Sequence, residues 1–203
     1  MQLSQLLKET PSQTAGPYIH VGCLPNQIGI NCMGNHDLGS LLLSKDTKGE
    51  RILLTGKIFD GENNPVKDGM VEIWQADANG VYRFSEGNIE SDPNFTGWGR
   101  SGCNFENGVW LFKTIKPGPV ILTDKQIMAP HVSFWLVARG INLGLNTRMY
   151  FDDEHLLNEK DPLLNELKMK SKIQTLMAKK IGNSVYEFNI YLQGENETTF
   201  FEI

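Results

Sequence analysis

From residue 51 onward, the hydrophobic and polar positions follow short strand patterns for most of the chain. RILLTGKIF (Arg51 to Phe59) and MVEIWQA (Met70 to Ala76) read as two strands joined by the turn-rich DGENNP. Asn107-Gly108 precedes VWLFKTI (Val109 to Ile115), the dipeptide suited to a type I′ turn, which predicts a hairpin there. HVSFWLVA (His131 to Ala138) and the shorter TRMYF (Thr147 to Phe151) are further strand candidates. Tyr186, Phe188, Ile190 and Leu192 alternate with polar or half-polar neighbours, the signature of a strand buried on one face, and TTFFEI is expected to be the last strand.

One stretch breaks this series. Asp161 can cap a helix, Pro162 fits its first turn, and Leu163, Leu167, Ile173, Leu176 and Met177 approximate helical spacing before Gly182, which predicts a short helical segment near 161–181. Residues 1–48 show no sustained period and are rich in Gly, Asn and Pro, so they read as an irregular N-terminal arm. An arm of that length is expected to lie against its own domain or another chain. The expected architecture is all-β: a sandwich of two mostly antiparallel sheets in one domain over 1–203, with its core in 49–203.

Composition narrows the function classes. The chain has 203 residues, of which 40% are hydrophobic, enough for one sizeable core. A net charge of -5 and the absence of a basic stripe argue against nucleic acid as a partner. The lysines between Lys168 and Lys180 fit a solvated face. Cys23, Cys32 and Cys103 cannot all pair and form no zinc-type C-x-x-C, as expected of reduced thiols. MQLSQLLKETPSQ has no leader pattern, and the strongly apolar run Phe134 to Ala138 is too short to span lipid, so a cytoplasmic protein without membrane association is expected.

Individual motifs carry little chemistry. Gly97 to Gly102 matches G-x-G-x-x-G but lacks the flanking strand and helix of a dinucleotide site. Asp152, Asp153, Glu154 and His155 offer metal donors in one stretch, though a charged turn is the ordinary explanation. His131 and Ser133 share one face of a strand, where a second histidine would suggest a metal site and a serine does not. No G-x-S-x-G elbow, H-E-x-x-H helix or P-loop occurs.

Taken as an ordered set, ETPSQTAGPY, VEIWQADANGVY, DPNFTGWGR, TIKPGPV, APHVSF, ARGIN, TRMYFDDE and QGENETTFFEI resemble the intradiol ring-cleavage dioxygenases over nearly the whole chain. Within that family the chain resembles the alpha chains of the heteromeric branch. Iron-binding members of this family hold Fe(III) with two tyrosines and two histidines. The corresponding positions here are Tyr82, Val120, His131 and Ser133, and Met128 stands where the iron-binding chain has an arginine. Valine has no donor atom and serine is a weak ligand, so the resemblance implies a degenerate metal pocket and no metal bound by this chain.

The same resemblance implies that a homologous iron-binding beta chain holds the Fe(III), that protocatechuate and dioxygen are the substrates, and that αβ pairs build a higher-order hetero-oligomer. It also implies that Thr14, Gly16, Pro17 and Tyr18 of the arm, with Arg139 of ARGIN, line the partner's substrate cavity. Gly16-Pro17 suits close backbone approach at low entropic cost, and Arg139 suits an anionic substrate or a partner carboxylate. The competing expectation is a stand-alone β-sandwich module that binds a small aromatic ligand around Tyr82 and His131.

Overall fold

The computed structural model describes residues 13–16, 18–31, 34–83, 90–123, 126–167 and 170–202. The strands are β1 (Arg51–Phe59), β2 (Met70–Gln75), β3 (Trp98–Gly102), β4 (Val109–Ile115), β5 (Val120–Thr123), β6 (Gln126–Met128), β7 (His131–Val137), β8 (Leu145–Phe151), β9 (Met177–Gly182), β10 (Val185–Glu187) and β11 (Ile190–Tyr191). Alternation in β1 places Ile52, Leu54 and Ile58 inward, and antiparallel β4 answers with Thr114, Phe112 and Trp110. β10 and β11 add to the other edge of β1 in parallel. The facing sheet runs β3-β2-β7-β8, with Ile73 opposite Phe134 and Phe134 opposite Thr147.

β9 joins the two sheets. Its Met177 and Ala178 pair with Tyr150 and Phe151 of β8, while Lys179 and Lys180 pair with β10, so one strand turns the corner of the sandwich. Between the sheets, the Trp110 ring meets Phe134 edge-on at 5.5 Å, and Phe134 meets Phe188 at 5.3 Å. Each such fully buried aromatic contributes about 2–3 kcal/mol through surface removed from water.

Four features differ from the sequence pattern. The helical segment ends earlier than 181: α3 (Pro162–Glu166) and α4 (Lys170–Ile173) lead into a 3₁₀ turn (Gln174–Leu176), and residues 177–182 form β9. Met177 continues the helical spacing, but unpaired backbone on β8 and β10 captures it. Asn107-Gly108 does not make a type I′ hairpin, because Gly108 has φ 74° and Asn107 is not in the left-handed region. β3 pairs with β2 and β4 with β1, so this turn carries the chain between sheets, held by Asn104 Oδ1 accepting from Glu106 N at 2.8 Å. The alternating run from Tyr186 splits in two where the Asn189 side chain replaces a ladder bond by accepting from Lys57 N at 3.0 Å. TTFFEI makes a single bridge, Phe201 to Asn146.

The segment read as an irregular arm contains α1 (Tyr18–Cys23) and a 3₁₀ turn (Pro25–Ile28). Leu24, Leu42 and Thr47 are buried on this chain's own sandwich, and Gln27 Nε2 donates to Cys103 O at 2.7 Å. α2 (His155–Asn158) follows β8. No helix among the described residues is long and apolar enough to cross a membrane.

Candidate functional site

Tyr82 is placed by two loops that pack backbone on backbone. After β2, the buried Asp77 carboxylate accepts from Asn79 N at 2.8 Å, Val81 N at 3.0 Å and Asp92 N at 2.8 Å, which shapes the turn before Tyr82. Gly118 N donates to Asp77 O at 2.9 Å, and a Cβ on Gly80 would fall 1.9 Å from Pro119 O. Glycine is therefore required at Gly80, whose φ is 79°. That close approach lays the segment before Val120 against the one before Tyr82.

His131 opens β7 at 1% exposure. Its Nδ1 lies 2.7 Å from Ala129 O, and a carbonyl only accepts, so Nδ1 carries the proton. Nε2 is then a bare acceptor and takes the Tyr82 hydroxyl at 2.8 Å. Burial, with the nearby Arg148 charge, presses the imidazole down to about 4 and keeps it neutral at neutral pH. Burial likewise raises Tyr82, against smaller opposing effects from Arg148 and a hydrogen bond from Ser133.

Asp161 braces this end of the sheet. Fully buried, it caps α3 by accepting from Leu164 N at 3.0 Å, accepts from Ala129 N at 2.8 Å, and takes the Tyr150 hydroxyl at 3.2 Å. Tyr150 and Arg148 lie opposite His131 and Ser133 on β8. The Arg148 guanidinium reaches Tyr150 Oη at 3.4 Å and Met128 Sδ at 3.7 Å. An arginine therefore does stand at Met128, supplied by a different strand.

This donor set does not fit a ferric ion. Of the four positions, Val120 offers nothing and Ser133 a weak hydroxyl, while Tyr82 and His131 spend their donor and acceptor on each other. Arg148 adds positive charge beside them instead of the anionic oxygen that Fe(III) requires.

Arg139 and Thr14 meet at the other end of β7, roughly 25 Å away at 3.3 Å per residue. Thr14 Oγ1 accepts from Gly140 N at 2.7 Å and donates to Ala138 O at 3.4 Å, which fastens the arm to the turn carrying Arg139. Arg139 Nε donates to Asp68 Oδ2 at 2.6 Å and Nη2 contacts the same oxygen, yet the side chain stays 72% exposed. Tyr18 is 83% exposed. Nothing lies within 4 Å of a Cβ built on Gly16, and Pro17 falls outside the described residues. The acidic stretch after β8 is a charged turn: Asp153 bridges Lys116 and Lys180 and accepts from Tyr186 Oη, and Glu154 pairs with Lys116 at 2.6 Å.

Asp77, Asp161, Tyr150 and Arg148 were not singled out as site residues by sequence reasoning. Asp161 was visible only as a cap, and Arg148 only as part of a strand.

A family model described as Dioxygenase matches residues 30–194, and together with the sandwich and its remnant pocket it places the chain in the intradiol dioxygenase family. Within that family it is 44% identical over 201 residues to the protocatechuate 3,4-dioxygenase alpha chain of Pseudomonas putida, covering 98% of each chain. The protocatechuate 3,4-dioxygenase beta chain of Burkholderia cepacia is 33% identical over 175 residues, or 81% of this chain and 74% of that one. The intradiol ring-cleavage dioxygenase from Tetranychus urticae shares the fold at a TM-score of 0.53 and 20% identity, over 91% of this chain and 94% of that chain.

Proposed function

We propose that this chain is the iron-free alpha subunit of a cytoplasmic protocatechuate 3,4-dioxygenase, completing the substrate cavity of an iron-bearing beta chain within a larger αβ assembly. The full-length likeness to an alpha chain supports the subunit type. One observation carries the iron-free assignment: the Tyr82 hydroxyl and His131 Nε2 are bonded to each other at 2.8 Å, with Val120 and Ser133 at the remaining positions.

In this reading the partner's Fe(III) supplies the oxidative chemistry that opens 3,4-dihydroxybenzoate between its hydroxyls, giving 3-carboxy-cis,cis-muconate. This chain contributes position. Arg139, aimed by Asp68, offers a guanidinium to the substrate carboxylate or a partner carboxylate. Tyr18 and the Gly16 backbone, held near by the Thr14 clasp, shape the cavity and exclude water. Thr14, Gly16, Pro17, Tyr18 and Arg139 are the residues proposed to reach the partner's site.

Coexpression with an iron-bearing chain tests the proposal. The two should copurify with one iron per αβ pair and cleave protocatechuate, while this chain purified alone should be colourless. A lone chain that stays monomeric, ignores the partner or carries stoichiometric iron would overturn it.

A further inference from the structure

The outward face of the sheet around the remnant pocket carries a cation, Arg148, that forms no salt bridge with any described residue; Asp161, the carboxylate on the far side of Tyr150, is committed to that hydroxyl and to two backbone amides. Arg148 and Ser133 are cross-strand neighbours on that face. A guanidinium has five N–H donors, and Arg148 meets two neutral, distant acceptors, Tyr150 Oη at 3.4 Å and Met128 Sδ at 3.7 Å. Tyr150 directs its own proton to Asp161, so it is not an anion toward Arg148. Among the described residues no carboxylate lies within ion-pairing distance of Arg148. A half-buried cation left in this state costs free energy that a bound counter-charge would recover.

The surface next to Arg148 has a matching shape. A shallow groove of about 260 Å³ runs along the same sheet face, lined by Trp74, Trp98 and Trp135 together with Ser133 and Asn146. Asn146 is two residues from Arg148 on the same face of β8, so groove and cation are continuous. Glu72, also in the groove, is neutralised by Arg100, whose Nε donates to it at 2.7 Å. Indole walls suit a flat ring, and one planar guanidinium suits one carboxylate rather than a multiply charged phosphate.

We propose that the remnant pocket is an anion site that takes a carboxylate on Arg148, with the aromatic body of a small acid lying in the tryptophan groove. The same carboxylate chemistry can come from a free benzoate-type acid or from an acidic side chain of a bound protein partner. The inference does not depend on the subunit assignment, because Arg148 and the groove both belong to this chain.

The test is calorimetric and fluorescence titration of the full chain with benzoate, alone and with its partner, for wild type, Arg148→Gln and Arg148→Lys. The free-acid source predicts saturable binding with tryptophan quenching. Arg148→Gln should weaken it about tenfold or more, Arg148→Lys should restore part of it, and phenol should not bind. The protein source predicts no benzoate binding, with Arg148→Gln instead weakening the complex by a similar factor in sedimentation. Wild-type behaviour of the folded Arg148→Gln chain in both measurements would overturn the proposal. Copurification is read separately, so failure of the subunit assignment is not confused with failure of this site.

Discussion

The two ends of β7 show opposite uses of polar residues. At its start, His131, Tyr82, Tyr150 and Asp161 are joined by hydrogen bonds, and His131, Tyr150 and Asp161 are almost fully buried. Just past its end, Arg139 is largely exposed, and among the described residues its charge is shared with Asp68 alone and Thr14 is the clasp between its turn and the arm. The remnant pocket braces the sheet through buried, hydrogen-bonded groups, with Arg148 left at its outer edge, whereas the end that carries Arg139 is open and lightly held. Burial and satisfaction, more than position along β7, therefore separate what holds this protein together from the cations, Arg148 and Arg139, that it offers to a ligand or partner.

The largest effect expected is at the brace. Asp161→Ala strands three donors, Ala129 N, Leu164 N and the Tyr150 hydroxyl, and removes the cap of α3. A loss of about 3–5 kcal/mol is expected from urea unfolding, from buried unsatisfied groups plus a lost cap. A loss below about 1 kcal/mol would mean that this end of β7 is no more structural than the other.

Next comes the pH dependence of the same end. His131 in the folded chain titrates near 4 and in the unfolded chain near 6.5, so between those values the unfolded chain binds the extra proton. Stability should fall as pH drops from about 6.5 to about 4, by up to about 3 kcal/mol from this residue, and level off below. Chemical denaturation of wild type and His131→Gln at pH 7 and pH 4.5 measures the slope. The variant should lose most of it, and equal slopes would remove His131 from the account.

How far each region was legible follows the distance over which its structure is decided. β1 is readable because alternation over nine residues already states which face is buried. β9 is not, because MAKKIG is exposed through most of its length and its pairing is set by β8 and β10. β3 was hidden by its glycines, which read as a loop motif. Tyr82 and Val120 could be located only through family resemblance, whereas strand alternation alone put His131 and Ser133 on one face. Arg148 became informative once the β7–β8 register set it opposite Ser133, and the Asp161 bond to Ala129 spans 32 residues.

On the exposed side, Arg139→Ala should leave unfolding free energy within about 0.5 kcal/mol of wild type, as for an open surface residue. In the proposed assembly it should lower kcat/KM for protocatechuate about 10- to 100-fold, the range for one charged hydrogen bond. Steady-state kinetics of the reconstituted complex decide it. Unchanged kcat/KM would detach Arg139 from the substrate cavity.

The smallest effect concerns the clasp between arm and turn. Thr14 Oγ1 accepts a 2.7 Å bond from Gly140 N, while its own donation to Ala138 O is long at 3.4 Å, so the accepted bond dominates. The site is exposed and water replaces whatever is lost, so Thr14→Val should cost about 0.5–1 kcal/mol locally and leave global unfolding unchanged. Because the hydroxyl covers one particular amide, hydrogen exchange at Gly140 isolates the contribution: its protection should drop about two- to fivefold in Thr14→Val and persist in Thr14→Ser. Undiminished protection in Thr14→Val would mean that other contacts hold the arm beside Arg139, and that the open end of β7 is more firmly built than its single clasp implies.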